Sequence, residues 1–181
     1  MQVTKFLQYV GVSRHAWNWG LNICIERLRN NEKSLSAIGL HKLLVRDVKS
    51  VNEWYYEVSK FTPQQALRDL KKSFDRFWKI YFPKNKKLSI SKRYLKKYLK
   101  MKREGKIEKL SIEHEKGFPK FNKKGEYDSF YLEGTNTQII KVIGKKIKIP
   151  KIGWIKTYEK LPEGIEIKNL TISRQANDWF I

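Results

Sequence analysis

The sequence predicts an α+β protein, with a helical bundle first and antiparallel strands after it. Three observations predict it. Over residues 1–82, apolar side chains recur at three- and four-residue steps. From Gly125 onward they alternate in short runs parted by glycines and charged turns. Between the two, residues 83–124 break both patterns and hold 16 basic side chains against 4 acidic ones. The expected plan is a helical region over 1–82, a basic connector or insertion over 83–124 and an antiparallel β module over 125–181.

The first helix is carried by Val10, Arg14, Trp17, Leu21, Ile25 and Leu28, of which only Arg14 is polar. The polar run Asn30-Asn31-Glu32-Lys33 ends it. Ser34 or Ser36 can cap a second helix, whose apolar set is Ile38, Leu40, Leu43, Leu44 and Val48. Trp54, Tyr55 and Val58 suggest a further short turn. The clearest helix start is Thr62-Pro63-Gln64-Gln65. A threonine can accept from first-turn amides, proline suits the first helical position, and a glutamine three residues on completes a capping box. The stripe Ala66, Leu67, Leu70, Phe74, Phe77 and Tyr81 follows, and Pro83 stops it. Ser91 to Arg103 can form a basic helix ended by Gly105.

Strands are expected at Asp128 to Leu132, at Ile139 to Ile143 and Lys145 to Ile149 around a turn at Gly144, and at Trp154 to Tyr158. Ile165, Ile167, Leu170 and Ile172 mark another, with a bulge at Lys168-Asn169. Asp178, placed in a hairpin turn, opens a last strand that runs to Ile181.

The net charge is +21, from 39 Lys and Arg against 18 Asp and Glu. Such an excess points to a polyanionic partner, nucleic acid before membrane. No stretch has the roughly 20 apolar residues of a spanning helix, so no membrane partner is expected. Charges and tryptophans interrupt the N-terminus, which carries no signal-peptide pattern. The single cysteine, Cys24, excludes an internal disulfide and a multi-cysteine zinc site, and a cytoplasmic location fits it.

Catalytic chemistry finds little support. His15, His41 and His114 have no ligand-like spacing, so no metal and no cofactor are expected. Asp69 and Asp75 sit where Lys72 and Lys79 pair with them on a helix surface. No carboxylate pair stands on an apolar strand as a two-metal nuclease requires. There is no G-x-S-x-G, P-loop or G-x-G-x-x-G. Binding remains. Lysine suits sequence-independent phosphate contact, while Arg14, Arg27, Arg29, Arg68 and Arg76 fall on predicted helices where bidentate contacts are open to them. Tyr94 and Tyr98 are freer to stack on bases than Trp17, Phe74 and Phe77, which belong to the apolar stripes.

Four ordered blocks resemble one family. Gly11 to Asn22, GVSRHAWNWGLN, is similar to the opening of the TnpB (OrfB) proteins of insertion sequences, RNA-guided nucleases related to type V CRISPR effectors. Glu57 to Lys60 leading into Pro63 to Leu70, Gly117 to Gly125 with Asp128 to Phe130, and Ile149 to Lys156 with Thr171 to Arg174 resemble it in the same order. The resemblance spans nearly the whole chain except 84–116.

It implies a helix-turn-helix-like recognition region followed by an incomplete antiparallel β-barrel, the wedge domain, with DNA and guide RNA from the element end as partners. It places reading of the target-adjacent DNA motif at Lys60, Phe61 and Gln64. Arg14, Arg68, Lys120, Lys123 and Lys124 join them as nucleic-acid-binding candidates. Ala37 and His41 stand where the family pattern has other residues. The family's nuclease, with its catalytic acids and four-cysteine zinc module, has no counterpart in these residues, so binding without cutting is expected. A separate nuclease-bearing chain is then a candidate partner. The other readings are a stand-alone DNA-binding regulator derived from the family, a non-functional remnant and an unrelated basic RNA-binding protein. Open strand edges are expected to limit solubility.

Overall fold

The computed structural model describes residues 2–30, 32–81, 100, 103–104, 113, 115–135, 139–162, 164 and 166–181. It is α+β: helices come first and two small antiparallel sheets follow, with no closed barrel among the described residues. The chain forms two compact units. One joins residues 1–68 to 121–181, and the other is 69–120. The first helices and the strands therefore share a unit, where the sequence had set 1–82 apart from 125–181.

In the first unit, helix α1 (Gln2–Arg29) starts earlier than its periodicity suggested and adds Phe6 and Tyr9 to its buried face, with Val10, Ala16, Leu21 and Ile25. Arg14, Trp17 and Leu28 are half-buried. Ser36 caps α2 (Ala37–Leu43), its side chain accepting from the Gly39 amide at 3.0 Å. The rod continues as a π-helical turn, Leu44–Lys49. Leu40, Leu44 and Val48 are all buried. In a plain α-helix each four-residue step rotates about 40° past a full turn. A wider π turn takes back that drift, so it keeps Val48 on the face of Leu40 and Leu44. Ile38, expected in this apolar set, is 69% exposed because it lies off that face.

A single 3₁₀ turn, Glu53–Tyr56, precedes α3 (Phe61–Tyr81). The start of α3 corrects the expected capping box. The helix begins at Phe61, and the Ser59 hydroxyl accepts from its amide at 3.4 Å. Thr62 lies inside the first turn, and its hydroxyl donates to the carbonyl of Tyr131 at 3.0 Å. A buried hydroxyl seeks a partner, and a strand carbonyl claims this one.

The strands are β1 (Ser129–Glu133), β2 (Lys141–Ile143), β3 (Lys146–Ile149), β4 (Gly153–Lys156), β5 (Asn169–Gln175) and β6 (Asp178–Phe180). They pair as β1-β5-β6 and β2-β3-β4, antiparallel throughout. Gly144, with φ 55°, opens the two-residue β2–β3 turn, as a type II′ hairpin demands. Asp178 is paired with Gln175 and closes the β5–β6 hairpin, leaving Ala176 and Asn177 as its turn. Beside the expected irregularity at Lys168, the Gly134 amide donates to the Lys168 carbonyl at 2.7 Å. A Cβ at Gly134 would stand 2.6 Å from the Ile167 oxygen, so only glycine fits.

Helix α1 lies on the first sheet. Phe6 and Tyr9 meet Phe130 with ring centroids 5.9 and 4.8 Å apart, and Phe6 meets Trp179 at 4.9 Å. Its polar residues reach the second sheet: Gln2 donates to the Trp154 carbonyl at 2.8 Å and Tyr9 to that of Pro150 at 3.2 Å. Two further ties hold the segment before β1. Asn18 and Asn122 bond reciprocally, side-chain amide to backbone, at 3.0 and 2.8 Å. Asp128, 7% exposed, lies 3.7 Å from both Arg14 and Arg174.

In the second unit, Phe74 and Phe77 of α3 pack edge-on against Phe118, at 5.4 and 5.3 Å. The basic helix expected over 91–103 lies outside the described residues except at Lys100 and Arg103, both helical. His114, Tyr94 and Tyr98 also lie outside them.

Candidate nucleic-acid interface

The first turn of α3 is fixed at its back by Thr62 on β1 and by buried Val58 and Ser59. Its open side carries Lys60, Gln64 and Arg68 at four-residue steps. Lys60 and Arg68 are exposed and Gln64 is half-buried. Phe61 is half-buried too, and the Lys60 ammonium stands 5.2 Å from its ring centroid. The positive end of the helix dipole adds roughly half a charge of the same sign.

Two other stretches of chain bring basic groups to this place. The α2–π rod supplies His41 and Lys49. The loop between β3 and β4 supplies Lys151, whose left-handed backbone (φ 64°) aims its ammonium at the Tyr56 and Val58 carbonyls, 2.6 and 3.0 Å away. The charges feel one another. Burial first, then Lys151 and Lys60, hold the Lys49 ammonium below the usual lysine range. Burial first, then Lys49 and Arg68, hold His41 below the usual histidine range, which favours the neutral imidazole. Like charges gathered this way repel, and an anion placed among them relieves the repulsion. In general, lysines can seat phosphates, while the paired donors of an arginine and the donor and acceptor of a glutamine amide can bond to base edges.

The candidates taken from the sequence thus divide. Lys60, Phe61, Gln64 and Arg68 lie together. Arg14 is half-buried against Asp128, a role that tightens the fold. Lys123 is exposed and pairs with Glu126 at 3.6 Å, and Lys124 is exposed on the same turn. Lys120 is exposed and belongs to the second unit. His41 was weighed in the sequence as a metal ligand and as a departure from the family pattern, not as a binding residue. Lys49, Lys151 and Tyr56 were missed. No local signal singles them out, because 39 basic residues make any one lysine ordinary.

Among the described residues, no three His, Cys, Asp or Glu side chains gather closely enough to hold a metal ion. His15 is engaged elsewhere: its Nδ1 lies 2.7 Å from the Tyr55 hydroxyl. No described helix is long and apolar enough to cross a membrane.

Residues 1–33 match the OrfB_IS605 helix-turn-helix domain. The match falls on α1 and the residues that lead toward α2, and it includes Arg14 and Asn18. A helix-turn-helix description points to DNA binding. Within the matched residues, Arg14 and Asn18 of α1 hold the segment before β1, through Asp128 and Asn122. No curated protein matches the chain.

Proposed function

We propose that this protein binds DNA through the surface formed by His41, Lys49, Lys60, Gln64 and Arg68, as the binding portion of a transposon-associated, RNA-guided system. The observation that carries the reading is the convergence of basic groups from three separate stretches on the start of α3. The helix-turn-helix match supports DNA as the partner, and the net charge of +21 supports a polyanion. In the same reading, guide RNA from the element end occupies further basic surface, and these residues bind without cutting.

The test is duplex binding by fluorescence anisotropy. Replacing Lys60 and Arg68 together by Ala is expected to weaken binding at least tenfold. Replacing Lys141 and Lys148, exposed on β2 and β3, serves as the charge-matched control and is expected to cost far less. Equal losses in the two variants would mean that total charge alone drives binding, and the proposed surface would be wrong. Incubation of the same protein with labelled single strands and duplexes in Mg²⁺ or Mn²⁺ should leave both intact. Cleavage that survives repurification would overturn the non-cutting part.

A further inference from the structure

Tyr56 is the exposed aromatic around which this cation cluster is built. The residue is 57% exposed. The Lys49 ammonium stands over one face, 4.3 Å from the centroid. Lys151 donates to its carbonyl at 2.6 Å, and Lys60 is close enough to Lys49 to help depress its basicity. The turn that presents the ring is held on several sides. Asn52 donates to the Val48 carbonyl at 2.8 Å and accepts from the Trp54 indole at 3.1 Å. Tyr55 is buried, with its hydroxyl on His15. Trp54 stacks on Tyr55 at 4.4 Å. Other exposed rings exist, such as Tyr127 and Tyr158. What sets Tyr56 apart is a cation on one face of its ring, with Lys151 on its carbonyl and Lys60 near enough to Lys49 to act on it.

From this geometry we infer that Tyr56 is a base-stacking platform for single-stranded nucleic acid, with an unpaired base on its open face and the flanking phosphates on Lys49 and Lys60. A duplex hides its base faces, so it gains nothing from such a platform. An unpaired base gains stacking without regard to its identity. The cation on the opposite face polarises the ring, and the fixed turn removes most of the ordering cost of binding. The assignment rests on the reading that the same cluster binds phosphate, and its test separates the two.

Short oligothymidylate and a blunt duplex are titrated against the wild-type chain and its Tyr56→Leu, Tyr56→Phe and Lys60→Ala variants, at two salt concentrations. The expected result for Tyr56→Leu is a loss of about 5–150-fold on the single strand, the range for one lost stack. Its duplex affinity and salt slope should stay unchanged, and Tyr56→Phe should bind the single strand as wild type does. Lys60→Ala should weaken both ligands and flatten the salt dependence. If Tyr56→Leu binds the single strand like wild type, or loses single strand and duplex alike, the platform is wrong. If Lys60→Ala leaves both ligands unaffected, the phosphate-binding reading beneath it fails instead. A thermal melt of each variant shows that the fold is kept, and Tyr56→Phe distinguishes a lost ring from a disturbed turn.

Discussion

At the residue scale, single side chains decide how the helices and sheets hold together. Asp128 faces two guanidinium groups and also accepts from the Gly125 amide at 3.2 Å. Asp128→Asn keeps the shape and removes the charge between Arg14 and Arg174. It is expected to cost about 1–3 kcal/mol in urea unfolding, whereas Glu126→Gln on the exposed turn should cost little. The histidines give a pH dependence whose sign follows from burial. His15 and His41 are both held below 6.5 in the folded chain. As the pH falls, the unfolded chain takes up these protons first. The stability from this source is complete above about pH 6.5 and declines as the pH drops below it. The melting temperature should therefore fall from pH 7 to pH 5, and replacing both residues by glutamine should flatten that fall. For His41 the charges facing it are Lys49 and Arg68, so bound DNA, which neutralises them, should lessen its share of the loss.

At the element scale, close backbone approaches fix what periodicity only suggests. Gly134→Ala forces a methyl into the Ile167 carbonyl and should cost about 1–3 kcal/mol, the range for overpacking a tight site. Ala at the neighbouring Thr135 tests the same strand end without the clash. Most elements were legible because their signals are local. Alternation located the strands, although β5 begins only at Asn169, and the set Ile38, Leu40, Leu43, Leu44 and Val48 located the second helix, with Ser36 rather than Ser34 as its cap. The start of α3 was misread because Thr62 has two possible partners. First-turn amides are visible in a sequence, but the Tyr131 carbonyl, reached only after the fold brings β1 alongside, is not. The π turn was likewise illegible, since it answers the packing of Val48 rather than any residue preference.

At the scale of the whole molecule, excess charge and its placement are separate matters. The charge was plain in the sequence, and it suggested the lysine-rich middle of the chain. Among the described residues, cations of the first unit cluster at Lys49, Lys60, Arg68 and Lys151, in residues where the charge is less dense. Lys151 joins the others only because the β3–β4 loop reaches Tyr56 and Val58. That is a long-range contact that no spacing rule reveals. The salt dependence of DNA affinity should report this placement. Alanine at Lys49, Lys60 or Arg68 should each lower the slope of log K against log salt by about 0.9, while alanine at Lys141 should lower it by less.

The first unit is assembled from residues 1–68 and 121–181, and this has a consequence during translation. Helix α1 leaves the ribosome long before β5 and β6 are made. At about 5–20 residues per second that interval is on the order of ten seconds. Throughout it, Phe6 and Tyr9 lack the sheet residues that cover them, Phe130 and Trp179. The nascent chain should therefore be a client of ribosome-associated chaperones, and slowing elongation after the codon for Arg68 should lower the soluble yield.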